Sequence, residues 1–272
     1  MPFLRQSYKQ KPQAWGPPSQ VQASIFQNAE RAGIDPASIA LAMPMWGPGD
    51  QLDYAHPNNP FTNNLVDHNH NVLSFNGSSS YLSQVSNSGI FASAPFTTHV
   101  KIKNNGTDAT NHWIYTKEDS LLANGDGFRR NGSGLYIARG TTGSYHYKAS
   151  GAIADGQRMT VSHRYISTSN FDTFIDGKPV VGWTKATPYN DISVATLQIG
   201  RSNGSYQGYW NGDIEFFYVF NAALNNSQIA YLSDNPYFLL QRVSPVFFSI
   251  PGGGVTPTFK PFWAANATRI AI

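Results

Sequence analysis

Cysteine is absent from all 272 residues, so no disulfide or thiolate metal site holds the chain together and stability has to come from packing. Charge is scarce as well: Asp, Glu, Lys and Arg make up 13%, and the formal net charge is only +3. Arg5, Lys9 and Lys11 near the start and the Arg129-Arg130 pair are the basic spots, and the remaining cations are scattered. A nucleic-acid partner is therefore not expected. Glutamate occurs only at Glu30, Glu118 and Glu215, a thin supply for acid–base chemistry. No apolar run is long enough to span a membrane, and MPFLRQSYKQKPQAW has no signal-peptide core. Membrane insertion is thus not expected, and synthesis in a cytoplasm is.

What the chain does have is aromatic residues, glycine, asparagine and serine, the composition of strands and tight turns. The most informative stretch is Ser193–Asn235. Leu197 and Ile199 alternate with polar residues and end at Gly200, which predicts a short strand. A polar loop over Ser202–Gly208 follows. Asp213–Phe220 is a second strand, with Ile214, Phe216, Tyr218 and Phe220 on one face and both faces covered. Asn225 and Gln228 then read as a capping box opening a short helix that buries Ile229 and Leu232.

LQIG followed by YWNGDIEFFYVFNAALNNSQI resembles the closing signature of laminin-G-like, concanavalin-type jelly rolls. Upstream, IALAMPMW resembles the family's opening strand, VLSFNGSSSYLS a hairpin turning at Asn76-Gly77, and FTTHVKIK a following strand. MTVSHRYI and FDTFIDGKPV resemble a hairpin with a type I′ turn at Asp176-Gly177. The resemblance implies an all-β fold, an antiparallel two-sheet jelly-roll sandwich of about five to seven strands per sheet. It covers residues 37–235. Residues 1–36 form an N-terminal arm, in which Val21–Ala32 has the spacing of a short amphipathic helix. Residues 236–272 form an extended C-terminal tail rich in proline and aromatics.

The family also hosts hydrolases carrying E-x-D-x-x-E along one strand. That motif is missing, and Glu118-Asp119 point to opposite faces of a strand, so no enzymatic activity is expected. The resemblance implies calcium as the metal if there is one. Asp53 and Glu215 would be its ligands and Asn58 a further amide oxygen, although an acidic residue is missing from the first strand. Loop aromatics with polar neighbours suit sugar rings, and Tyr206, Tyr209 and Trp210 with Arg201 and Asn203 are the candidate glycan-binding set; Tyr145 and Tyr147 are outlying candidates. Edge packing is the competing role for Tyr209 and Trp210.

The tail, with NPYFLL, VFF and KPFWAANATRI, resembles the ends of laminin-G-like proteins encoded in tailed-phage genomes. That implies a structural protein of the virion, on the head or the tail, with other virion proteins as partners and a homo-oligomer as its form. Trp15, Tyr237, Phe247, Phe248, Phe259, Phe262 and Trp263 are the assembly contacts on that reading. The alternative is an adhesin module recognising a host-surface glycan.

Overall fold

The computed structural model describes residues 16–46, 51–56, 60–69, 72–84, 94–105, 111–118, 125–131, 134–139, 145–148, 155–167, 170–180, 196–202 and 208–243. Helix α1 (Pro18–Arg31) comes first, with a proline in its first turn, where the missing N–H costs nothing. The strands follow in order: β1 (Ile39–Met43), β2 (Thr62–Asn64), β3 (Asp67–Asn69), β4 (Val72–Asn76), β5 (Tyr81–Gln84), β6 (Phe96–Asn104), β7 (Asn111–Glu118), β8 (Gly125–Asn131) and β9 (Gly134–Arg139). Then come β10 (Tyr145–Lys148), β11 (Arg158–Ser167), β12 (Asn170–Ile175), β13 (Lys178–Pro179), β14 (Thr196–Ile199), β15 (Arg201–Ser202), β16 (Gly208–Tyr209) and β17 (Asn211–Phe220). Helix α2 (Asn226–Asp234) and a 3-10 turn at Phe238–Leu240 close the described chain.

Two antiparallel sheets face each other. One has eight strands in the order β13-β12-β11-β6-β17-β4-β3, with β1 also paired to β17; the other has seven, β10-β9-β8-β7-β14-β5-β2. Side chains such as Leu73, Phe75, Val100 and Phe217 meet Leu82, Tyr115, Leu197 and Ile199 between the sheets. The expected all-β sandwich is what the chain forms.

A second apolar cluster lies on the other side of the eight-stranded sheet. There Phe216, Tyr218 and Phe220 of β17 carry Val21, Ile25 and Ala29 of α1, Ile229 and Leu232 of α2, and Tyr237–Leu240. The strand β17 is buried on both faces because it lies between two cores. Its side chains do not alternate simply, however. A bulge between Ile214 and Phe216, opposite Ile102 and Lys101 of β6, adds one residue and re-aims those that follow. Ile214, Phe217 and Val219 therefore face the inter-sheet core, while Phe216, Tyr218 and Phe220 face the helices.

The VLSFNGSSSYLS hairpin is a correction. Strands β4 and β5 belong to different sheets, so residues 77–80 are a crossover at the rim. The Asn76 side chain organises it: Oδ1 accepts from the backbone N–H groups of Ser78, Ser79 and Ser80 at 2.9–3.1 Å. The turn at Asp176-Gly177 does form a hairpin, with φ of 47° and 73° as a type I′ turn needs.

Candidate functional site

The rim where β14 ends is shaped by two glycines. Gly200 has φ of +88°, and a Cβ there would sit 2.3 Å from the Phe75 ring. Gly212 has φ of +146°, and its Cβ would lie 2.0 Å from the Lys103 carbonyl oxygen. Both positions demand glycine. Between them the ribbon β15–β16 pairs Arg201 with Tyr209. The backbone is tied down on both sides, because Trp210 N–H donates to the Gly200 carbonyl at 2.7 Å and Gly200 N–H donates to that of Ile114 at 2.9 Å.

This clamp sorts the candidate glycan contacts. Trp210 turns into the inter-sheet core and is fully buried. It therefore packs the sandwich and is removed from the candidate set. Arg201 and Tyr209 stay half-exposed. Asn203 and Tyr206 lie outside the described residues, as do the side chains of Tyr145 and Tyr147.

The residue that completes the surface is Tyr81. The Arg201 guanidinium lies over its ring, 3.7 Å from the centroid, and the Tyr81 and Tyr209 rings are 6.5 Å apart at 54°. Arg201 Nε donates to Gln198 Oε1 at 2.9 Å, which fixes the plane of the fork. Tyr81 was legible in principle: in YLSQ, Leu82 and Gln84 share one face, leaving Tyr81 and Ser83 on the other.

The register carries the polar surface outward from there. Thr116, Gln198, Ser83 and Thr62 are successive cross-strand neighbours over β7, β14, β5 and β2, and Asn64 pairs with Tyr81. Asn64 Nδ2 donates to Ser83 Oγ at 3.3 Å. Thr116 and Gln198 are buried, Thr116 Oγ1 donating to the Arg201 carbonyl at 2.9 Å, so Thr62, Asn64, Ser83 and Tyr81 of the sheet, with Arg201 and Tyr209 of the β15–β16 ribbon, are the members that stay exposed or half-exposed. Such a set offers apolar ring faces to C–H groups and directional partners to hydroxyls.

The calcium set does not assemble in this way. Asp53 Oδ1 accepts from Ala42 N–H at 3.0 Å and Ala55 N–H at 2.9 Å, fastening the loop to β1, and Oδ2 lies 3.1 Å from His56 Nδ1. Burial raises the pKa of Asp53, and the two backbone N–H groups and His56 work against that rise. Glu215, aimed away from the inter-sheet core by the bulge, bonds through Oε1 to Arg158 and accepts the Tyr237 hydroxyl on Oε2. Lys101 Nζ lies 3.7 Å from the same oxygen, and Asp213 faces Arg158 at 3.3 Å. Burial lowers the pKa of Lys101, with Glu215 opposing the shift. The Tyr237 phenol is pushed up by burial and by the Glu215 charge. The Glu215 oxygens are thus engaged by Arg158, Lys101 and the Tyr237 hydroxyl, and those of Asp53 by two backbone N–H groups and His56. Asn58 lies outside the described residues, and among those described no three acidic, His or Cys side chains gather at a metal-binding spacing.

Tyr237, expected at an assembly contact, is also corrected: it is buried in its own chain against Phe216 and Lys101. Trp15, Phe247, Phe248, Phe259, Phe262 and Trp263 lie outside the described residues.

A laminin-G family model described as the concanavalin A-like lectin/glucanases superfamily matches residues 76–230, more than half of the 272. The chain belongs to this superfamily. No curated protein sequence matches it. Among solved structures, this lectin-like domain is similar to Trypanosoma rangeli sialidase in complex with 2,3-difluorosialic acid. The TM-score is 0.62 at 14% identity, over 80% of this chain and 38% of that one. It is similar to the binding domain of botulinum neurotoxin DC in complex with SialylT, at TM-score 0.58 and 16% identity, over 75% and 52%. The same toxin domain in complex with rat synaptotagmin II gives 0.59 and 16%, again over 75% and 52%. The chain thus spans about half the length of the toxin domains and under two-fifths of the sialidase. Identities this low establish the common fold alone.

The expectation of no enzymatic activity is corrected by these likenesses. Sialidases share the fold with toxin binding domains, so neither the fold nor a missing E-x-D-x-x-E excludes hydrolysis. The described carboxylates Asp213 and Glu215 are engaged by Arg158, and the Glu118 side chain lies outside the described residues.

Proposed function

We propose that the domain is a carbohydrate-binding module whose ligand lies on the surface formed by Tyr81, Tyr209 and Arg201. The observation that carries the reading is the stacking of the Arg201 guanidinium on Tyr81, at the half-exposed end of a polar row on the outer face of the seven-stranded sheet. A guanidinium fork held flat on a ring, with the Tyr209 ring beside it, suits a sugar bearing a carboxylate. Structures of the same fold have been solved with sialic acid and with SialylT, so sialylated glycans are the first to test. An adhesin recognising a host-surface glycan is the role that fits.

The full chain would be applied to an array of sialylated, uronic and neutral glycans, followed by calorimetry on the strongest binder. Tyr81→Ala and Arg201→Ala should each weaken binding about tenfold or more, since hydrogen bonds to charged groups are worth about 1.5–3 kcal/mol. Their melting temperatures should stay near that of the wild type. Binding that survives both substitutions would place the ligand elsewhere.

A place in a tailed-phage virion, with virion proteins as partners, is the other reading of the sequence. It rests on the resemblance of NPYFLL, VFF and KPFWAANATRI to the ends of phage-encoded laminin-G-like proteins, and Tyr237, buried in its own chain, no longer supports it as an assembly contact. Glycan binding is therefore put first.

A further inference from the structure

The seven-stranded sheet ends at the edge strand β2, and the chain leaves that strand through Leu65. Leu65 has φ of 58°, in the left-handed region, and is 75% exposed. The turn is held rigidly. Asn63 Oδ1 accepts from Val66 N–H at 2.9 Å, Asn63 Nδ2 donates to the Val66 carbonyl at 3.2 Å, and Val66 itself is anchored in the inter-sheet core.

Leucine is a poor choice for this position on both counts that govern folding. Its Cβ crowds the backbone in the left-handed region, where glycine or asparagine is preferred. Its side chain also contributes almost nothing to a core. A single exposed leucine needs no explanation by itself. An exposed leucine that strains its own backbone does, and strain of this kind persists where it serves a contact. The location supplies one: Asn64, the preceding residue, is the cross-strand partner of Tyr81, whose ring carries Arg201.

Resting on the carbohydrate reading above, we infer that Leu65 is a specificity-determining contact at the end of the Tyr81–Arg201 surface, taking a methyl-bearing substituent of the bound sugar. An acetamido group and a 6-deoxy carbon share that chemistry. The hydrogen-bonded turn holds the backbone on either side of Leu65, so binding has only its side-chain rotamer left to order.

The test uses the full chain, a glycan array with acetamido, 6-deoxy and plain hexose arms, and calorimetry on matched pairs that differ only in the methyl. Leu65→Asn relieves part of the left-handed strain because the short amide can hydrogen-bond nearby backbone, whereas Leu65→Ala has no such partner and keeps most of it. The wild type should prefer the methyl-bearing member of a pair. Both variants should reduce that preference by about tenfold, the usual scale for one apolar group in a contact. Affinity for the methyl-free member should change little, and Leu65→Asn alone should melt at a higher temperature. Retention of the full preference in either folded variant overturns the inference and leaves the carbohydrate reading standing. The same follows if the wild type shows no preference between paired glycans. No binding by the wild type, or binding that survives both Tyr81→Ala and Arg201→Ala, overturns the carbohydrate reading and this inference together.

Discussion

At the scale of single residues, the fold holds one imidazole in a state the unfolded chain would not keep. His99 is fully buried between β6 and α2, stacked on Phe216 and bonded through Nδ1 to Ser162 Oγ at 2.7 Å. Burial pushes its pKa from the ordinary 6.5 down to about 3, only partly offset by the Leu232 backbone. The unfolded chain therefore binds a proton between those values that the folded chain refuses, and stability falls as pH drops below 6.5. At 1.36 kcal/mol per pH unit, acidification to pH 4 should remove about 3 kcal/mol. Asp53 has the opposite sign. Its raised pKa means the folded form takes up a proton first, so its contribution grows on acidification, from the raised value down towards 3.8. Urea titrations at pH 7 and pH 4 on wild type and His99→Asn would isolate the His99 part. The variant should lose the acid sensitivity that the wild type shows, and equal losses in both would rule His99 out as its source.

At the scale of elements, what the sequence disclosed was whatever depends on neighbours in the chain. The capping box formed as read, with Gln228 N–H donating to Asn225 Oδ1 at 2.9 Å and Asn225 N–H to Gln228 Oε1 at 2.8 Å. The β12–β13 hairpin did so for the same reason. Features that depend on a distant partner were misread or missed. Asn76-Gly77 has hairpin chemistry, yet which sheet Tyr81 joins is decided by β14 and β2, far along the chain. The direction of Glu215 is decided by a bulge against β6. Trp210 and Tyr209 are adjacent in sequence but divided between core and surface by the Gly200 clamp. Helix α1 belongs with the second group. Its apolar spacing was visible, but its docking was not, because that depends on Asn28. Asn28 Nδ2 donates to the carbonyls of Leu239 at 3.3 Å and Gln241 at 2.8 Å, joining the helix to a segment more than 200 residues away. Asn28→Ala would leave those buried carbonyls without a donor, and about 1–3 kcal/mol should be lost. Chemical denaturation gives the number, and proteolysis near residue 242 should quicken in parallel. An unchanged midpoint would mean that apolar contacts alone hold the helix.

At the scale of the whole molecule, the sandwich and its helical layer form one packed unit. Residues 37–235 contain both sheets, but the outer face of the eight-stranded sheet is apolar there, with Phe216, Tyr218 and Phe220 needing cover. Val21, Ile25 and Ala29 on one side of the domain boundary, and Tyr237, Phe238, Leu239 and Leu240 on the other, provide it. Each large apolar side chain fully buried is worth about 1.5–3 kcal/mol, so this cover contributes on the order of 10 kcal/mol before the entropy of ordering it. Removing the cover also returns Phe216, Tyr218 and Phe220 to water, so the shorter fragment should be markedly less stable than one that keeps it. A polar contact also crosses the boundary, since the Gln228 side-chain Nε2 donates to the Gly33 carbonyl. A fragment of residues 37–235 should therefore be insoluble or bind a hydrophobic dye strongly, because it exposes a contiguous apolar face. A fragment of residues 16–243 should fold, and its melting temperature should lie within a few degrees of the full chain. If the shorter fragment instead melts cooperatively at the same temperature as the longer one, the helical layer is an accessory, and the inter-sheet core is sufficient by itself.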